Sequence, residues 1–516
     1  MADALPTNNN NISGDEEIFD EPPTFIDLNS AVEVKVDDAP VDDDDDDAMM
    51  DDDDDVANNN NNNDHRHAAT NAEADTSSSQ QAAPIIIDQS KATFTSHTDA
   101  IYAITSHYDD QSNTLYIVSG GGDDRAYLHL MTTANQNQAH SNKTVPLAHP
   151  HTDSISCVSL NTPYIHNDVS GTVQANQIAV GSYDGSIVLY STMDGSLVHV
   201  FEGPTDVEWL RFHPRGGTVL LVGSIADGTI WMYHTPSKQC LQVFVGHEGG
   251  VTDGAFTPDG KSIVSCGQDG TVRVWAPKKG VCKHVFRLMD NKNGGGGGSG
   301  EEEGGGGLTC LAVGGGQDGQ LAICGGEDGN AYVVHVSGKK LVATLTHYEE
   351  SVAANNSSNA NGQDNQGGGE DGMDEDDDGF IGEQRSVEAV GFCPAKIPGT
   401  AHWCATGGVD GVLKVWNMNV GGVGGAQLRH KCTRGADVKA GITRLRWHHS
   451  LPLVIASYTD GVVCIWDARV GKMVDSLTGH EDMINAMDVS FVDGSAAALI
   501  VTGSDDKSVK MFEYHP

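Results

Sequence analysis

Histidine, serine or threonine, and aspartate recur along this chain at spacings that invite a chemical reading. One stretch holds His247, Ser265, Asp269 and Trp275, and another holds His480, Thr502 and Asp506 with Phe512. A hydroxyl, an imidazole and a carboxylate in one neighbourhood form the set from which an activated nucleophile is built. Imidazoles and carboxylates also bind metals, and His65-Arg66-His67 and His448-His449 add to the supply. Two features weigh against both chemistries. No Cys-x-x-Cys or second His pair stands at ligand spacing, and the His/Asp set returns in register from one part of the chain to the next. A group repeated unit by unit serves the unit. A buried imidazole between a hydroxyl, a carboxylate and an indole ties loops together, each hydrogen bond contributing ~0.5–1.5 kcal/mol. These seven residues are therefore expected to form a structural network, with no catalytic residue, no metal and no cofactor. The Gly runs Gly294–Gly298 and Gly304–Gly307 lack the Lys-Ser/Thr of a phosphate loop and read as linker.

The elements that position these residues follow from the repeat itself. A small residue before x-Asp-Gly, followed by alternating apolar residues, occurs eight times, centred on Asp124, Asp184, Asp227, Asp269, Asp328, Asp410, Asp460 and Asp506. Arg125 and Lys507 replace the Gly in the first and last. Six residues further on comes an apolar, mostly aromatic column: Leu130, Tyr190, Tyr233, Trp275, Val334, Trp416, Trp466 and Phe512. Within 247–286, the runs Val251–Phe256, Ser262–Cys266, Thr271–Trp275 and Cys282–Phe286 are short, alternate with period two and are separated by turn residues. Four strands per unit at this period predict an all-β, single closed β-propeller. Eight four-stranded blades are favoured, with seven as the alternative if the fifth unit is divided differently. The last unit stops after its third strand, Ser508–Phe512, so Pro84–Thr95 is the expected donor of the missing fourth strand, removing an exposed sheet edge.

Composition divides the chain accordingly. Residues 1–96 hold 25 acids against Lys35, Arg66 and Lys91, and residues 349–384 hold 11 acids and no cation, out of a net charge of −43. Residues 1–82, with their Asn and Asp runs, cannot form a core and are expected to be a disordered acidic tail. Residues 83–516 are expected to form the propeller, with low-complexity insertions at 131–148, 290–307 and 349–384. Within the tail, Ile18, Phe19, Phe25, Ile26 and Leu28 interrupt the acids at residues 16–28 and could order on binding or stay disordered. Such acidity disfavours direct nucleic-acid binding and suits a basic protein partner. No window is apolar enough for a membrane span, and no leader pattern opens the chain. Ten scattered cysteines read as reduced thiols. A monomer in the cytoplasm, with the nucleus a second location, is expected.

A partner would meet the loops at one rim of the disc. The residue before each repeated Asp and the residue after the first apolar position of each inner strand give sixteen rim positions. Among them are the acids Asp123, Glu208, Glu327, Glu388 and Asp505, and no Lys or Arg. These five are the expected partner-binding residues.

The units resemble the WD-repeat family, whose repeats start near Gly-His and end near Trp-Asp. Gly246-His247 and Gly479-His480 match outright, Ser96-His97 and Pro150-His151 match at the His, and Ile465-Trp466-Asp467 matches the ending. Residues 202–214 (EGPTDVEWLRFHP), SVEAVGFC at 386–393 and the IWDARVGK stretch resemble the angio-associated migratory cell protein group. That group includes a fungal chaperone that captures the basic N-terminal segment of one large-subunit ribosomal protein on an acidic propeller face. The resemblance implies ribosome-assembly chaperoning of a basic ribosomal client. The alternatives are a scaffold in signalling or cell migration, implied by the animal members, and a general acidic, histone-type chaperone.

Overall fold

A computed structural model describes residues 87–132, 141–148, 151–161, 177–215, 217–289, 306–316, 318–348, 385–418, 425–435 and 438–516. The acidic tail and residues 349–384 lie outside these residues, as do 133–140 and 290–305 of the other two expected insertions.

Thirty-two strands form eight separate four-stranded antiparallel sheets. The innermost strand of each blade packs against that of the next, from Ile101–Asp109 in blade 1 to Ile484–Phe491 in blade 8, and blade 8 packs back on blade 1. The ring is closed, with eight blades rather than seven. The second strand of a blade is covered on both faces, so it is apolar but for a buried serine hydroxyl: Leu453–Tyr458, with Ser457, and Ile263–Gly267, with Ser265, are buried at every position. One hydrophobic cluster fills each of the eight blade junctions. The core is thus a ring of wedge contacts rather than one central mass.

The repeated Asp-Gly pair makes the turn between the second and third strands. Gly185, Gly228, Gly270, Gly329, Gly411 and Gly461 all have φ between 64° and 80°, where a side chain is disfavoured. In blade 8 Lys507 holds this position at φ 68°. In blade 1 it is Asp124, at φ 59°, and not Arg125. The first repeat is therefore framed one residue earlier than its sequence suggests: Asp123 is the repeated acid, and the column residue six positions on is His129, not Leu130. Tandem acids hid the frame.

The last blade is closed as expected, by Ala92–Phe94 pairing with Val509–Tyr514: Ala92 lies opposite Met511 and Phe94 opposite Val509. Phe94 packs with Ile101, Leu115, Val501 and Met511 at the junction of blades 8 and 1. The interval 131–148 is less of an insertion than expected. Met131 and Thr132 end the third strand of blade 1, and Ser141–Pro146 is its outer strand. Polar residues suffice there because an outer strand faces solvent along its length.

Phe94→Ala is expected to lower stability by about 3–5 kcal/mol, read from urea denaturation. Thr93→Ala, on the exposed side of the same strand, should stay within about 0.5 kcal/mol of wild type.

Candidate functional site

The His/Asp sets lie in the loops at the rim where the second and third strands turn. In blade 4, His247 Nδ1 is 3.0 Å from Asp269, its Nε2 is 2.8 Å from Ser265 Oγ, and Trp275 Nε1 donates to the same hydroxyl at 2.9 Å. In blade 8, His480 spans Asp506 and Thr502 at 2.7 Å each, and Phe512 supplies no donor. Blade 6 holds a second complete set: His347 meets Thr406 at 2.8 Å and Asp410 at 3.4 Å, and Trp416 donates to Thr406 at 2.9 Å. Sequence reading missed it because the acidic segment 349–384 separates His347 from Asp410. In blade 1, His97 spans Asp123 and Ser119 at 2.8 Å each, and His129 takes the indole's place on Ser119 at 2.9 Å. Blades 7 and 5, which lack the His, substitute for it. Arg434 pairs with Asp460 at 2.8 Å and stacks 4.7 Å over Tyr458 in blade 7, and the Tyr332 hydroxyl donates to Asp328 in blade 5.

These sets leave Asp123 unavailable to a partner. Its side chain is 5 % exposed and is held by His97 and by the Thr98 N–H. Gly122 takes its place in the rim, so four acids occupy the sixteen positions rather than five.

The second row of rim positions has an unexpected origin. In seven blades the ladder between the first two strands slips by one residue at this point, for example between Ile101 and Ala103 and between Val387 and Ala389. The bulged residue is left out of the pairing and its side chain is re-aimed. Four of the eight stitch neighbouring blades. Ser156 donates to the Val207 carbonyl, Thr252 to Leu308 at 2.6 Å, Thr309 to Val387 at 2.5 Å, and Asn485 to Ile101 at 3.2 Å.

Glu208 and Glu388 hold the same position in blades 3 and 6 and line one cavity of about 590 Å³, together with Tyr102, Tyr183 and Arg444. Burial raises the Glu208 carboxyl above its usual range, and Asp206 and Asp253 add to this; the Tyr183 hydroxyl bond and the Arg444 charge oppose it. Glu388 accepts from the Ser386 hydroxyl at 2.5 Å. Asp505 reaches the cavity wall through Asn485, which donates to it at 2.6 Å. Glu327 lies outside the cavity and accepts from the Gly307 N–H at 2.8 Å. The rim positions as read hold no cation, yet Arg444 and Lys439 line the same cavity. Arg444 directly follows a bulged residue, and strict alternation cannot place such a side chain. Among the described residues no three His, Cys, Asp or Glu side chains gather as a metal-binding group, and no helix is long and apolar enough to cross a membrane.

Two measurements follow from this arrangement. His247→Ala or Asp123→Asn should cost about 1–3 kcal/mol by leaving buried partners unpaired, whereas Asp124→Gly, relieving a positive φ, should be neutral or stabilising; chemical denaturation reads both. Burial, reinforced by the His97 charge, pushes His129 down to about 3, and burial lowers His97 against the pull of Asp123. The unfolded chain therefore takes up protons that the fold refuses, and stability should fall as pH drops from 6.5 toward 3. Burial raises Asp184 but the Ser186 hydroxyl and the Thr152 and Ser186 N–H groups outweigh it, holding the acid at about 2, so its contribution is lost only below the ordinary aspartate value of 3.8. Melting temperature between pH 7 and pH 5 should drop less in His129→Gln than in wild type.

The WD domain, G-beta repeat family matches residues 88–129, 238–276, 430–467 and 471–513. Each match joins the outer strand of one blade to the inner three of the next, so the sequence repeat is offset from the structural one. The chain is 29 % identical over 425 residues to the angio-associated migratory cell protein of Homo sapiens, covering 82 % of this chain and 80 % of that protein. A p21-activated protein kinase-interacting protein 1-like of Gallus gallus is 30 % identical over 28 % of this chain and 35 % of its own length. Among solved structures, Saccharomyces cerevisiae Sqt1 superposes with a TM-score of 0.61 at 17 % identity, over 83 % of this chain and 100 % of that one. Chaetomium thermophilum Sqt1 bound to the N-terminus of the ribosomal protein L10 gives 0.59 at 20 %, again over 83 % and 100 %. The chain therefore carries WD repeats in a closed β-propeller and is a homologue of angio-associated migratory cell protein.

Proposed function

We propose that this propeller is a non-enzymatic chaperone that holds a Lys/Arg-rich segment of a large-subunit ribosomal protein at the mouth of its channel until assembly. The observation that carries this reading is the convergence of Glu208 and Glu388, from blades 3 and 6, on one cavity of about 590 Å³ flanked by Tyr102 and Tyr183. A cationic side chain there meets two carboxylates and aromatic rings, the combination that favours Lys or Arg. The likeness to Sqt1, crystallised with the N-terminus of ribosomal protein L10, supports the client class. The acidic tail adds long-range attraction, screened beyond about 8 Å in physiological salt. It accelerates encounter, while the oriented carboxylates set residence time. The protein works as a monomer in the cytoplasm and could follow its client into the nucleus.

Arg444 sharpens the test, because its charge competes for the same carboxylates. Binding kinetics against a basic N-terminal peptide of ribosomal protein L10 should show dissociation at least ten-fold faster for Glu208→Lys with Glu388→Lys. Arg444→Gln should slow dissociation, and removal of residues 1–82 should mainly lower the on-rate. If the double reversal binds as tightly as wild type while loss of the tail abolishes binding, the protein is instead a tail-driven acidic chaperone of histone type. A propeller that ignores basic peptides altogether would favour a signalling or migration scaffold.

A further inference from the structure

The two ends of a blade face opposite ways. Turns between the second and third strands stand at the channel mouth, so the turns joining the first strand to the second and the third to the fourth stand at the far end of the ring. There blades 3 and 4 are set apart by charge. Their four far-end turns, residues 213–218, 235–238, 257–262 and 277–280, hold Arg215, Lys238, Lys261, Lys278 and Lys279 against one acid, Asp259. Across the ring, the far-end turns of blade 1 at 109–113 and blade 8 at 492–497 hold Asp109, Asp110 and Asp493 and no cation.

The cations of blades 3 and 4 form one surface. Lys283, on the outer strand of blade 4, donates to the Lys261 carbonyl at 3.4 Å and to the Ser262 hydroxyl at 2.9 Å, which ties the 257–262 turn to that strand. A Cβ on Gly260 would run into the His213 ring, so the same turn lies against the 213–218 turn of blade 3. Gly280 meets Gln242 in the same way, which seats the 277–280 turn on the outer strand of blade 3. Asp259 sits among them: burial raises its carboxyl, and the Thr257 hydroxyl, the Lys261 N–H and the charges of Lys261 and Arg215 outweigh that. One carboxylate is thus shared by cations of two blades. Arg215, Lys261, Lys279 and Lys283 are all exposed, and positive charge exceeds negative at this end. Lysines on an outer strand guard its open edge against stray pairing, which accounts for Lys283. Arg215, Lys261 and Lys279 stand on or beside turns, where there is no edge to guard.

We propose that the far end of blades 3 and 4 is a docking surface for an extended acidic segment of a second protein, whose successive Asp or Glu carboxylates meet Arg215, Lys261, Lys279 and Lys283. The cations are spread over turns of two blades, and an extended chain advancing ~3.3 Å per residue can meet them one after another where a single small anion cannot. A protein confines its acids to one stretch, whereas a nucleic acid carries charge along its whole length and is repelled by Asp109, Asp110 and Asp493 and by a net charge of −43. The chain's own acid runs are poorly placed, because the described chain begins at Ile87 beside Thr478, between blades 7 and 8 and half a ring away. The client proposed for the channel mouth is basic and meets the opposite end of the ring, so the two readings stand independently.

A fluorescent Glu-rich peptide, its Gln counterpart and a single-stranded oligonucleotide of equal charge, titrated by anisotropy against the full chain, test this. The Glu peptide should bind at least ten-fold tighter than either of the others. Lys261→Glu with Lys279→Glu should weaken it at least ten-fold with melting temperature unchanged, and Lys472→Glu, an exposed cation on blade 7, should bind as wild type. A Glu peptide that binds only after Asp42–Asp47 and Asp51–Asp55 are changed to Asn would make the chain's own tail the occupant and overturn the proposal. So would a chain that shows no preference for the Glu peptide over the Gln peptide or the oligonucleotide, or a double reversal that binds as tightly as wild type.

Discussion

Everything in this molecule depends on making eight turns alike enough for eight wedges to close a circle. The carboxylate at the start of each turn carries that burden. In blades 2, 3, 4 and 8 it accepts backbone N–H groups both from its own turn and from the segment arriving from the previous blade, as Asp269 does from Thr271 and Glu248. One side chain thereby fixes a turn and a blade junction together. What completes its coordination is negotiable: a histidine in blades 1, 4, 6 and 8, an arginine in blade 7, a tyrosine in blade 5. The carboxylate is constant and its partner is not, because the geometry needs an anchored acceptor more than any particular donor.

That division explains what could be read from the chain alone. The acid and the apolar residue six positions on keep a fixed distance within one hairpin, so blade number, strand number and the closing segment were legible. Partners brought in across a junction were not: His347 belongs with Asp410, 63 positions away, and Arg434 stands in for a histidine that a motif search simply finds missing. Blade 1 was misframed by one residue because Asp123 and Asp124 are the same type, and only the backbone distinguishes the acceptor from the residue at positive φ.

The channel mouth was harder to read for a different reason. Side-chain direction in a strand follows from counting by two, and the slipped ladder breaks the count in the first strand of seven blades. Glu208 and Glu388 are legible because the rim position keeps a fixed place in each inner strand, with the slip at Glu388 and without it at Glu208, whereas Arg444, one residue beyond the bulged Thr443, enters the cavity unannounced. The slip also gives the mouth two functions at once. Ser156, Thr252, Thr309 and Asn485 there sew blades together, and the charged Glu208 and Glu388 face the opening. A substitution from Thr to Glu at this position would exchange a stitch for a contact.

The closing strand has a consequence for how the chain is made. Phe94 and its partner Val509 are 415 residues apart, and at 5–20 residues per second a ribosome needs roughly 20–80 s to span that interval. Throughout that time seven blades can assemble behind the exit tunnel while Ala92–Phe94 has no partner and blade 1 presents an uncovered flank. The circle is therefore completed only after Val509–Tyr514 has been made, and its apolar seam, Phe94 with Val501 and Met511, stays open to other chains until then.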